Sequence, residues 1–138
     1  MILLDTNVLS ELLRPAPEGR VLTWIAAQPR ATLFTTSVTR GEMLYGIKVL
    51  PDGRRQQGLL AAILAIFNEE LAGQVLNFDS DAADAYAEIA ALRRSLGKPI
   101  SQFDAMIAAI ARSRGAHLAT RNVKDFVECG IDIVDPWG

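Results

Sequence analysis

Residues 1–13 read MILLDTNVLSELL, and the reading of the first seven decides the fold. Met1 to Leu4 form an unbroken apolar run, as expected of a strand buried on both faces, and such strands belong to parallel sheets covered by helices. Asp5-Thr6-Asn7 interrupts the run before the pattern turns apolar again. A buried strand that ends on a carboxylate has two explanations. The acid caps the helix that follows, or the strand delivers it to a site at the edge of the sheet.

Short apolar runs rich in β-formers recur at 32–35, 75–78, 118–120 and 131–134, and helical periodicity fills most of the gaps between them. The alternation predicts the α/β class with a central parallel sheet. Between Asp81 and Leu96, Ala82, Ala85, Tyr86, Ile89, Ala90 and Leu92 fall close to helical spacing, and Gly97-Lys98-Pro99 ends that helix. A further helix is expected from Ser101 to about Arg114, with Phe103, Ile107 and Ile110 as core candidates and Gly115 as the stop. LLAAILAIF at 59–67 is about half of the ~20 residues that a membrane span needs and reads as a buried helix. Pro51-Asp52-Gly53 reads as a turn and Arg14-Pro15-Ala16-Pro17 as a break. No repeat or interdomain linker divides the chain, so 1–138 is expected to form a single domain.

Of the 138 residues, 50% are hydrophobic and 22% charged, which argues against disorder. One cysteine, Cys129, rules out an internal disulfide framework and any thiolate metal cluster. Because Asp5 cuts the first apolar run short, neither a signal peptide nor a membrane anchor is expected, and the cytoplasm is the expected location. Fourteen basic and sixteen acidic residues leave a net charge of −2, so any grip on a polynucleotide has to be local.

Acids recur where strands end and helices begin. Asp5 ends the first strand, Glu42 follows the second within a few residues, and Asp104 opens the helix at Ser101. Thr39-Arg40-Gly41-Glu42 and Ser101-Gln102-Phe103-Asp104 both match the capping box. Yet in an open parallel sheet the carboxyl ends of the strands share one edge, where ligands bind, so these acids can converge. Three converging carboxylates repel one another unless a cation offsets them, and oxygen ligands suit Mg²⁺ or Mn²⁺. Other chemistries have less support. His117 is the only histidine, Ser37 and Ser101 lack a nucleophile elbow, and no glycine-rich phosphate loop is present.

Four motifs in order, MILLDTNVLS at the start, RGEMLYG around Glu42, FDAMIAA around Asp104 and ATRNVKDF at 119–126 with a closing Asp135-Pro136-Trp137, resemble the PIN domain over essentially the whole chain. The likeness is greatest to the VapC and FitB branch of type II toxin–antitoxin toxins. The resemblance implies a three-layer α/β/α fold and a metal-dependent endoribonuclease, usually a homodimer, that cleaves RNA with a metal-activated water. It implies Mg²⁺, with Mn²⁺ as an alternative, held among the catalytic acids Asp5, Asp104 and Glu42, with Asp5 and Asp104 as direct ligands and Glu42 either binding a second ion or orienting the attacking water. Thr6 and Asn7 would brace that cluster and Thr120 would border it. Asn122 stands where many relatives have a fourth acid, and is expected to line the pocket. Asp125 is expected at the rim or as a cap of the turn before Phe126, and Asn7 as an added cap of the first helix. Arg40 and Arg121 are candidates for holding the RNA backbone. The implied partners are the RNA substrate and a cognate antitoxin that blocks the active site, with no membrane. The rival readings are a non-catalytic PIN-like interaction module and a metal-dependent phosphatase. The phosphatase reading suffers from Asp5-Thr6-Asn7, where a D-x-D pair is wanted.

Overall fold

The computed structural model describes residues 1–138. Its strands are β1 (Ile2–Leu4), β2 (Leu33–Thr36), β3 (Val75–Leu76), β4 (His117–Ala119) and β5 (Ile133–Val134). They form one sheet in the order β3-β2-β1-β4-β5 with every neighbouring pair parallel. Parallel neighbours need crossovers, and the chain supplies helices α1 (Thr6–Leu12), α2 (Gly19–Ala27), α3 (Ser37–Lys48), α4 (Arg54–Ala65), α5 (Ser80–Ser95) and α6 (Gln102–Arg114).

The two faces of β1 show why its sequence is apolar throughout. Leu3 enters a core with Ile89 of α5 and Ile107 and Ile110 of α6, while Leu4 enters a second core with Val8, Val21, Ile47 and Ile63 from α1 to α4. Successive strand residues point to opposite faces, so a strand between two helical layers has no solvent side to leave polar. The result is the expected α/β/α sandwich. Gly115, left-handed at φ 63°, ends α6 as expected and returns the chain to β4 beside β1.

Several expectations need correction. Leu92 and Phe103 are 45% and 53% exposed, and the residue buried at the end of α5 is Arg93. Its guanidinium satisfies itself on backbone, donating to the carbonyls of Lys98 (2.7 Å), Asp125 (2.8 Å) and Val127 (3.0 Å) without a carboxylate partner. Apolar periodicity assigns such a position to solvent because it cannot foresee carbonyls arriving from a distant loop. The 59–67 segment buries only Ile63 and Phe67 fully, so it is an amphipathic surface helix that runs into a π-helical turn at Ile66–Glu70.

Replacing Arg93 by Met keeps an apolar stem but removes the donor that three backbone carbonyls share. The expected cost is about 1–3 kcal/mol in urea denaturation, whereas an exposed residue would give almost none.

Candidate active site

Strand register builds the site. Leu4 pairs with Ala119 and Leu3 with Phe34, so Asp5, one residue beyond β1, emerges beside Thr120 on one side and the end of β2 on the other. The Thr120 hydroxyl donates to Asp5 Oδ2 at 2.7 Å, and Asn7 Nδ2 donates to the same oxygen (3.3 Å) and to Thr120 Oγ1 (3.1 Å). The Thr6 backbone N–H donates to Asp5 Oδ1 at 2.8 Å. Asp5 is therefore both the cap of α1 and a fixed carboxylate, only 4% exposed. The capping role expected of Asn7 falls to Asp5. Asn7 braces Asp5, as the resemblance implies, and its Oδ1 accepts from the Arg121 backbone N–H.

Glu42 arrives from α3. The helix starts at Ser37 with Thr36 as its cap, accepting from the Thr39 N–H, so Thr39 is not the cap that its sequence pattern suggested. That start places Glu42 deeper in the helix, where Thr6 Oγ1 donates to Glu42 Oε1 at 3.0 Å. Thr6 Oγ1 also lies 3.3 Å from the buried Thr39 hydroxyl, which in turn meets Thr36. Thr36 and Thr39 support the site through this chain of hydroxyls. A threonine-rich strand end was the only trace of it in the sequence. Asp104 sits in the first turn of α6, whose cap is Ser101 as expected, accepting from the Asp104 N–H.

Asp5, Glu42 and Asp104 line one open cleft of about 470 Å³ together with Thr6, Asn7, Asn122 and Arg121. Asp125 is exposed and does not line the cleft, yet its charge reaches both Asp5 and Asp104, and no side-chain cap of the turn at Val123–Phe126 involves it. Arg40 does not border the cleft. It donates to Asn68 Oδ1 and its guanidinium lies 5.2 Å over the Phe67 ring. Arg121 does border it, stacked 5.3 Å over the ring of Trp137, a buried residue that also lines the cleft and whose part the sequence did not reveal. Glu11, likewise unforeseen, lines the wall but is occupied, accepting from the Glu18 N–H at 3.0 Å and from Arg14 at 3.2 Å. Those donors, the Glu18 N–H first, hold its carboxyl below the ordinary glutamate range.

Burial pushes the carboxyls of Asp5, Glu42 and Asp104 above their ordinary values. Hydrogen bonds from Thr120, Thr6 and Ser101 oppose the shift, and mutual repulsion adds to it. None of the three is in an ion pair. No three acids, histidines or cysteines stand close enough to cage an ion as they are. The donor set nevertheless fits a hard divalent cation: every candidate ligand is oxygen, none of the three acids has an ion-pair partner, and an open cleft leaves room for ligating waters.

The PIN domain family model matches residues 2–129. The chain belongs to the PIN family. Within that family it is 40% identical over 137 residues to a VapC ribonuclease of Sinorhizobium fredii, covering 99% of this chain and 98% of the relative. It is 35% identical to the toxin FitB of Neisseria gonorrhoeae over 99% of both chains. A solved FitAB complex bound to a DNA fragment superposes with a TM-score of 0.93 at 34% identity, covering 100% of this chain and 96% of that one. The PIN sheet and its helical layers are thus those of the VapC and FitB branch.

A carboxyl with a raised folded pKa holds its proton more tightly folded than unfolded. Its contribution favours the fold at low pH and is lost as pH rises from the ordinary carboxylate range through the raised value. Asp104→Asn in EDTA should therefore raise the melting temperature relative to the parent more at about pH 7 than at about pH 4. A difference independent of pH would mean that the Asp104 charge is not what strains the metal-free cleft.

Proposed function

We propose that this chain is the toxin of a type II toxin–antitoxin pair, an endoribonuclease that uses Mg²⁺ or Mn²⁺ and is held inactive by its antitoxin. The observation that carries the reading is the convergence of Asp5, Glu42 and Asp104 on one cleft with no cation of the chain paired to them. Relatives named VapC ribonuclease and toxin FitB, and a FitAB complex as structural neighbour, support it. The whole chain, 1–138, acts as one domain in the cytoplasm, as a homodimer.

Asp5 and Asp104, with Glu42 beside them, would hold the cation, which when bound would supply Lewis acidity toward a phosphate oxygen and the attacking water. The protein's own part is positioning. Thr120, Asn7 and the Thr6 N–H leave Asp5 one orientation, and Thr6 fixes Glu42 on the opposite wall. Glu42, half-buried and with its pKa raised, is suited to accept a proton from the water. Asn122 offers a neutral oxygen to the same cleft, and Arg121, steadied by Trp137, presents a cation toward a phosphate. An antitoxin side chain such as arginine, entering the cleft, would pair with the acids and displace the metal.

Purified protein freed of any partner should cut structured RNA at discrete sites with Mg²⁺ and not with EDTA, and folded Asp104→Asn should not cut. Cleavage that persists in EDTA would remove the metal-dependent reading. Thr120→Val, which deletes the hydroxyl that orients Asp5, should lower metal affinity or activity by about 10–100-fold. Isothermal titration with Mn²⁺ measures the first directly.

A further inference from the structure

A second cleft, about 680 Å³, runs between α1, α3 and α4 and opens into the acidic one, with which it shares Thr6, Ser10, Arg14 and Glu42. At its far side stand Arg54 and Arg55, the first two residues of α4. Both are exposed, and neither is in an ion pair or makes a side-chain hydrogen bond. They do nothing for the helix, whose first turn is better matched by acids. Arg14 also lines this cleft but is paired to Glu11, so Arg54 and Arg55 are the two unpaired cations set against the single lining acid Glu42, on a chain whose net charge is −2.

We propose that this cleft is the track for the phosphodiester backbone of single-stranded RNA on one side of the cut, with Arg54 and Arg55 holding its phosphates. The inference rests on the nuclease reading and adds a place and a direction for the substrate. A polyanion placed with one phosphate at the acids and their cation would carry its next phosphates past Glu42 into the adjoining surface where positive charge predominates. The floor is open for a backbone to lie on. Gly46 of α3 and Gly58 of α4 both line the cleft, and a Cβ on either would meet nothing within 4 Å. Glycine is unfavourable inside a helix, so these two weaken their helices while keeping the cleft wide. The volume suits a few nucleotides and not a duplex.

The test uses the full chain and a fluorescently labelled short single-stranded RNA. In EDTA, anisotropy across a salt series should give a log–log slope for Arg54→Gln/Arg55→Gln that is shallower than the parent's by about 1.4, at about 0.7 for each phosphate that the protein no longer neutralises. In Mg²⁺ the same variant should show a severalfold higher KM with kcat and melting temperature unchanged. Gly58→Leu, which fills the cleft and improves the helix, should also raise KM without lowering the melting temperature. If the parent cuts RNA and both variants keep its KM and salt slope, the track is elsewhere and the nuclease reading stands. If the double variant cuts RNA normally but escapes inhibition by the antitoxin, the cleft belongs to the protein partner and the inference is overturned. A folded parent that neither binds nor cuts RNA removes the nuclease reading and this inference together.

Discussion

Asp5 is a carboxylate taken almost wholly out of water at the carboxyl end of the central strand, and the arrangement of the site follows from what that requires. A buried carboxylate is costly unless donors surround it. The donors come from three places at once: the Thr6 N–H at the start of α1, the Asn7 side chain, and the Thr120 hydroxyl, 115 residues away in sequence. Only the parallel pairing of β1 with β4 brings Thr120 there, and that pairing depends on β1 being sandwiched between two helical layers. Moving the strands by one residue would turn Leu3 and Leu4 to the wrong faces and separate Asp5 from its partner.

The same donors that secure Asp5 do not neutralise it. Asp5, Glu42 and Asp104 remain without an ion-pair partner, with protonation favoured by burial. Local consistency is given up at this edge of the sheet, as expected where a protein keeps a site for something it does not itself contain. The rest of the chain shows the opposite habit. Arg93 is buried with its N–H groups satisfied on backbone carbonyls, and it anchors the loop that carries Asn122 and Asp125 to the end of α5. Glu11 is buried but held by Arg14 and the Glu18 N–H.

Net charge says little about such a molecule. A balance of −2 over the whole chain conceals both an acidic cleft and an adjoining cleft where arginines predominate. The two lie side by side because Glu42 of α3, Ser10 of α1 and Arg14 just beyond it border both, while Gly46, one turn further along α3, lines only the second. Within about a Debye length, ~8–10 Å at ordinary salt, neighbouring charges set what binds and the chain total does not.

By itself the sequence determined the layer architecture, because an all-apolar strand can only be buried on both faces, and the α/β alternation leaves a parallel sheet as the economical solution. It also singled out the candidate acids: Asp5 and Asp104 sit where a strand ends and a helix begins, and the carboxyl ends of parallel strands share an edge, whereas Glu42 lies within α3 and reaches the same cleft from there. Tertiary structure alone decided who serves them. Asn7 braces Asp5 and does not add the cap also expected of it, Thr39 looked like a cap and became part of a hydroxyl chain, and Arg40 turned away to Asn68 and Phe67. Trp137 and Arg93 took places that no local pattern assigns. Period and spacing report which face of its own element a residue occupies. Hydrogen-bond partners and ring stacking depend on which distant segment arrives at that face, and this is settled only when the strands pair and the helices pack.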